Sequence, residues 1–188
     1  HTHKDVIILS QNVLNDLQLN YGVILFIHEK THILQRKYYS LFNDLYTNYW
    51  NFIKVKKIYN FDHLSKIVRL NPDGLDLTWI YKKDNKYILL LAVFNSLKLR
   101  DCSNVCVYLE KRNNKYFIPN NVRLIKLEKC NEFTSIFSIT NNNYHPNELS
   151  AEYMSLYWFS LINNKDPIND IGNTLFKKWF IKNKKILL

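Results

Sequence analysis

Residues 26–32 read FIHEKTH and contain the pattern H-E-x-x-H, with His28 and His32 four apart and Glu29 beside the first. On one helix face two imidazoles at that spacing can bind Zn²⁺, and the intervening carboxylate can activate a water for peptide hydrolysis. The pattern has three requirements: both histidines on one helix, a third ligand, and a cleft that admits a peptide. His28 and Glu29 end an apolar run that reads as a strand, and the following helix is expected to start near Thr31. The motif would then straddle a strand–helix junction. No H-x-x-G-x-x-H extension follows, since Gln35 and Tyr38 stand at the corresponding places. Asp44 and Asp62 match no usual ligand spacing. The zinc reading (His28 and His32 as ligands, Glu29 as base) therefore ranks behind a chance occurrence, and no metal or other cofactor is expected.

Other constellations are thinner. Cys102 and Cys106 could ligate a metal but read more simply as small half-buried strand residues. Asp73 and Asp76 flank a turn and suit local capping, and His63 beside Asp62 is expected to face solvent. There is no G-x-S-x-G, P-loop or dinucleotide fingerprint. Aromatics interleaved with lysine (KYYSLF, FKKWFIK) could stack bases and hold phosphates. With no nucleic-acid motif beside them, they rank as helix faces, and nucleic acid is not expected as a partner.

The bulk numbers agree with a folded chain. Of 188 residues, 47% are hydrophobic and 15% aromatic, which permits a large core. Thirteen Tyr, eleven Phe and four Trp exceed what such a core needs, so some are expected to line a surface. The net charge of +10 suits an acidic partner or solubility alone. The wealth of Asn, Lys, Ile and Tyr looks like A/T-rich codon usage, which weakens lysine as an argument for nucleic acid. Three cysteines do not make a secreted disulfide framework. The longest apolar run, YILLLAVF, is far short of the ~20 residues of a membrane span. No signal or transit segment is visible, and a start at His1 instead of Met fits the removal of one.

Patterning predicts strands over 5–9, 22–29 and 51–59, the last with Lys54, Lys56 and Lys57 outward. An amphipathic helix is predicted over 31–50, N-capped by Thr31, with Leu34, Tyr38, Leu41, Phe42, Leu45 and Tyr49 on its apolar side. A short helix capped by Asn60 or Asp62 leads to a turn at NPDG (71–74). A strand over 75–81 then puts Leu75, Leu77, Trp79 and Tyr81 on one face. Residues 84–99 fit a buried strand or a buried helix equally well. A hairpin over 104–119 turns at Asn113–Asn114. Strands over 122–127 and 133–140, a polar loop, a helix over 148–162 and a short C-terminal helix complete the chain. The order strand, loop, strand, helix occurs twice. One α+β domain, 1–188, is thus expected, built of pseudo-symmetric halves at 5–99 and 100–188.

IKVKKIYNFDHLSKIVRLNPDGLDLTWIY resembles the 22-kDa component of the translocon at the inner chloroplast envelope. In that family a basic strand and short helix precede a Pro-Asp-Gly-like turn and an alternating apolar strand. Here the pattern falls on Val55–Tyr59, Leu64–Leu70, Pro72, Asp73, Gly74, Leu75, Leu77 and Trp79. NVCVYLEKRNNKYFIP is similar to the family's hairpin ending in Ile-Pro, at Ile118–Pro119, and GVILFIHEKTHILQRKYYSLFNDL to its strand–helix unit. The likeness covers most of 5–120. It implies a non-enzymatic component of plastid protein import. Such a protein would be soluble or peripheral in the intermembrane space of a plastid, here a relict one such as an apicoplast. It would hold unfolded preproteins in apolar grooves without ATP and meet other translocon subunits. A groove of Tyr38, Phe42, Leu77, Trp79, Met154, Tyr157 and Trp158 is the expected client surface. A zinc metallopeptidase and a basic nucleic-acid module are the alternatives.

Overall fold

The computed structural model describes residues 1–9, 19–69, 77–96, 101–164 and 173–187, with the side chains of 19–21 excepted. In chain order the elements are β1 (Thr2–His3), β2 (Val6–Ile7), α1 (Leu19–Lys37), α2 (Tyr39–Asp44) and a π-helical turn (Leu45–Tyr49). Then come β3 (Phe52–Lys54), β4 (Ile58–Tyr59), α3 (Asp62–Ser65), β5 (Trp79–Lys83), β6 (Lys86–Phe94) and β7 (Cys102–Arg112). The rest are β8 (Lys115–Phe117), β9 (Ile125–Lys126), a 3-10 turn (Leu127–Lys129), α4 (Asn131–Thr134), α5 (Pro146–Ile162) and α6 (Thr174–Leu187). The chain is an α+β protein. No described helix is long and apolar enough to cross a membrane.

Two compact units form, and they cut the chain differently from halves at 5–99 and 100–188. One joins His1–Leu45 to Asn147–Leu188, and the other is Tyr46–Pro146. All the longer strands lie in the second.

The first unit is helical apart from the β1–β2 ribbon. The main correction falls here: 22–29 is not a strand but part of α1, which runs on through Lys37. An apolar run as short as GVILFI has no period that separates strand from helix. What decides is the polar residues beyond it, at three- and four-residue steps. Thr31 is no N-cap. It lies mid-helix, its hydroxyl donating to the Ile27 carbonyl one turn back at 2.8 Å. The helix expected over 31–50 is broken instead at Tyr38, whose backbone (φ −116°, ψ 46°) leaves the helical region before α2.

α6 buries Phe176, Trp179, Phe180 and Asn183, at helical steps, while Lys178, Lys182, Lys184 and Lys185 face solvent. Asn173 caps it, its Oδ1 accepting from the Phe176 N–H at 2.9 Å. The Trp179 indole lies 5.2 Å from the Phe42 ring and donates to the Leu41 carbonyl, which fixes α6 on α2. Tyr153 and Tyr157 of α5 pack on Phe176 and Phe180.

The second unit is built on a seven-stranded sheet, in the order β3-β5-β6-β7-β8-β4, with β9 also on β7. Residues 86–94 resolve the open reading of 84–99 as strand, paired antiparallel with β7 from Tyr87↔Leu109 to Phe94↔Cys102. Residues 97–99, the NPDG turn and Leu75 lie outside the described residues. The 104–119 hairpin is present, with Asn113 and Asn114 at φ 48° and 58°. Positive φ at both turn residues is what a two-residue type I′ hairpin needs, and asparagine tolerates it. Asp84 and Asn85 do the same between β5 and β6.

Three strand expectations need correction. Residues 51–59 divide into β3 and β4, with exposed Lys56 and Lys57 in the break. Of 122–127 only Ile125–Lys126 pairs, on β7. The stretch 133–140 is a helical turn and coil, because Phe133, Ile136 and Phe137 recur at helical, not alternating, steps. At α3 neither Asn60 nor Asp62 caps with its side chain; Phe61 holds that position.

Both sheet faces are covered. Leu89, Leu91, Val93, Val105, Val107 and Leu109 join Ile58, Leu64, Val68 and Tyr116 on one side. On the other, Phe133 and Phe137 stack at 4.7 Å and meet Tyr81, Phe52 and Trp50. Phe137 is the hub of that cluster and is 2% exposed. Phe137→Ala is expected to cost the protein about 3–5 kcal/mol, measured as a lower urea midpoint at unchanged m-value; a loss below about 1 kcal/mol would remove the hub role.

Candidate metal centre

α1 carries His28 and His32 one turn apart, so both rings leave the same helix face. They stand edge to face, with ring centroids 5.0 Å apart. α5 brings Glu148, in its first turn, against both. His28 Nε2 lies 3.2 Å from Glu148 Oε2, and His32 Nε2 lies 3.4 Å from Glu148 Oε1. Among the described residues these three form a group whose ligand atoms all lie within 4.8 Å of one another. Two imidazoles and one glutamate make the His₂Glu set of catalytic zinc sites. Bond lengths of ~2.0–2.1 Å put neighbouring tetrahedral ligands about 3.3 Å apart, which matches both distances from Glu148 to the imidazoles.

The surrounding hydrogen bonds fix which nitrogens face inward. His32 Nδ1 lies 2.9 Å from Gln35 Oε1. The Gln35 amide nitrogen donates to the Asn147 carbonyl at 2.7 Å and to Ser150 Oγ at 2.9 Å, so the amide oxygen must face the ring. The Nδ1–H of His32 therefore donates to Gln35, and the Nε2 lone pair points at Glu148. Two acceptors at 3.4 Å, both side chains 3% exposed, repel unless a proton or a cation lies between them. On the other ring, His28 Nδ1 lies 3.8 Å from Glu152 Oε2, one turn along α5 from Glu148. A carboxylate or amide behind a ligating imidazole is the usual support of a zinc histidine.

Burial alone lowers the His28 pKa and is the largest single effect on it. The hydrogen bond to Glu148 and the charges of Glu148, Glu152 and Glu29 together outweigh it, so the net shift is upward. The carboxylates around His28 thus favour positive charge on its ring. Glu29 is 8% exposed, and its Oε2 is buried without a hydrogen-bond partner. A buried carboxylate oxygen left unpaired is costly, and this one lies beside His28, whose pKa its charge helps to raise. The donor set, its spacing and the facing acceptors fit a divalent cation.

The structure thus brings His28 and His32 together and adds Glu148, Glu152 and Gln35, which the motif did not supply; Glu29 follows His28 on the helix, with its Oε1 3.4 Å from the His1 ammonium. Asp44 and Asp62 are not in the group. Cys102 and Cys106 both lie on β7 and are not in the ligand group found among the described residues. Cys106 is buried, and its thiol donates to Cys130, which draws the Cys130 thiol down to about 7 against the opposing effect of burial. His63 is exposed. Of the expected groove residues, Phe42, Trp79 and Met154 are buried in the two cores. Tyr157 and Trp158 are half-buried against Phe180, Tyr38 is half-buried under Lys37, and Leu77 packs on the sheet core. Tyr38, Phe42, Met154, Tyr157 and Trp158 belong to the first unit, and Leu77 and Trp79 to the second.

No protein-family model, curated protein or solved structure matches the chain. The site rests on its own geometry.

The protein is expected to bind about one zinc per chain, and Glu148→Ala to abolish stoichiometric binding. Gln35→Leu should weaken the affinity about 10–100-fold while the fold persists. Competition against a chromogenic chelator measures both. A wild-type protein unable to outcompete a micromolar chelator would remove the site.

Proposed function

We propose that the protein is a metal-dependent hydrolase of peptide bonds, centred on His28, His32 and Glu148 with Glu29 as general base. The convergence of Glu148 on the two helix-borne imidazoles carries this reading. A bound divalent cation would supply a Lewis acid for the substrate carbonyl and lower the pKa of water at the site. Glu29 does the proton work. Its unpaired Oε2 takes a proton from the attacking water as oxygen bonds to the carbonyl carbon. The same carboxyl returns that proton to the amide nitrogen as the C–N bond breaks, so Glu29 ends as it began. Gln35 keeps the His32 ring turned with Nε2 inward, and Glu152 puts negative charge beside His28 Nδ1. Zinc-loaded protein is expected to cleave a quenched fluorescent peptide library. Glu29→Gln should keep the metal and lose cleavage by about 10²–10⁴-fold. A zinc-loaded wild type without cleavage, or an undiminished Glu29→Gln, would refute it.

A second reading follows a different observation and needs no metal. Leu161 and Ile162 on α5, with Ile181 and Ile186 on α6, stand 40–60% exposed. We propose on this basis, together with the likeness to the plastid import component, that the C-terminal halves of these helices hold unfolded apolar segments in a plastid intermembrane space. Purified Glu29→Gln protein would then suppress aggregation of an unrelated thermally unfolding enzyme without ATP. Leu161→Ser with Ile162→Ser would weaken that suppression severalfold. Equal protection by the folded double variant would dismiss this surface.

A further inference from the structure

In the second unit, parallel pairing sets Tyr59 of β4 opposite Phe117 of β8. Antiparallel pairing sets Phe117 opposite Glu110, and Lys115 opposite Arg112. Side chains alternate along a strand, so Tyr59, Phe117, Lys115, Glu110 and Arg112 share one face, while Ile58, Tyr116, Leu109 and Ile118 turn to the core. Tyr59 and Phe117 stack at 4.8 Å and 27°, both only half-buried. Exposed Lys57 and Lys115 lie over the Tyr59 ring at 5.3 and 5.6 Å, and Arg112 over Phe117 at 5.6 Å. Glu110 is the acid among these five residues and is paired with Arg112; Glu132 lies further along the same face, held by Tyr108 and Lys86. Beside the rings lies a cleft of about 400 Å³, lined by Phe117, Arg112, Asn60, Asn120 and Asn121 among others. That volume is in the range of small-ligand sites.

We propose that this face binds single-stranded nucleic acid, with bases on Tyr59 and Phe117 and phosphates on Lys57, Lys115 and Arg112. Aromatic rings accept any base face, and flanking cations track the backbone. The cations now cover the ring faces that a base would occupy. Binding exchanges cation–ring contacts for base stacking and gives each released cation a phosphate. The amides of Asn60, Asn120 and Asn121 offer both donors and acceptors, which is what a base edge presents. An acidic peptide would use the cations but leave the rings and the cleft without a purpose.

The test is fluorescence anisotropy with a labelled twelve-residue oligouridylate and the full chain. Binding at 20 mM salt should weaken steeply toward 200 mM. Arg112→Gln with Lys115→Gln, both exposed on the hairpin, should reduce the salt-dependence slope by about 1.4, at ~0.7 for each phosphate no longer neutralised. Phe117→Leu should lower affinity about tenfold with the slope kept. No binding at 20 mM salt, unchanged affinity in the hairpin double variant, or equal displacement by polyglutamate would overturn it.

Discussion

The convergence of Glu148 on the His28 and His32 imidazoles is the constraint on which the first unit's arrangement rests. Gln35 commits the Nδ1–H of His32 outward, so a lone pair meets a carboxylate where water hardly reaches. Removing one partner from such a group would strand the rest, since buried polar groups are tolerable only when satisfied. Much else on the two helices can be understood as keeping this geometry. Ser150 and the Asn147 carbonyl hold the Gln35 amide, and Glu152 backs His28. The aromatic packing of Phe42, Tyr153, Phe176 and Trp179 gives α5 and α6 a fixed seat. The polar centre gains its precision from the apolar cluster, and neither would define the site alone.

The second unit solves a different problem. Its central strand β6, KYILLLAVF, is nearly continuous in apolar residues, which requires cover on both faces. Aliphatic side chains and α3 cover one face, and the Phe133–Phe137 turn covers the other. That cover gives way toward β8 and β4, where Tyr59 and Phe117 meet solvent among basic side chains. The excess of aromatic residues thus has two destinations: most stack into cores, and a few stay at the surface where cations accompany them.

Much of the fold could be read from spacing. The 104–119 hairpin was legible because Asn113–Asn114 supplies its turn, and helices near 148–162 and in the C-terminal segment were legible from composition. The metal centre was half legible. Its motif letters were plain, but GVILFI imitates a strand, and the apolar run concealed the helix that aligns the two rings. The concealed signal was polar: His28, His32 and Gln35 recur at helical steps, and Glu148 and Glu152 answer them with the same period on α5. The third ligand was illegible for a separate reason. Local sequence cannot say which distant carboxylate a fold will return to a helix, and the nearer acids, Asp44 and Asp62, match no usual ligand spacing. At 133–140 the signal against a strand was the four-residue step from Phe133 to Phe137, which points to a helix.

The ligands come from the two chain segments of the first unit, and His28 and Glu148 are 120 residues apart. The whole second unit is inserted between them. Closing so long a loop is slow and carries an entropic cost that grows with the logarithm of its length. An ion shared by α1 and α5 would act on the unfolded chain as a cross-link does, holding together ends that the insertion separates. The order of assembly follows: the sheet, whose contacts are contained within 46–146, can form while the helical unit is still two unjoined pieces. Chemistry at the centre would then be available only after synthesis has passed α5 and the chain has returned to where it began.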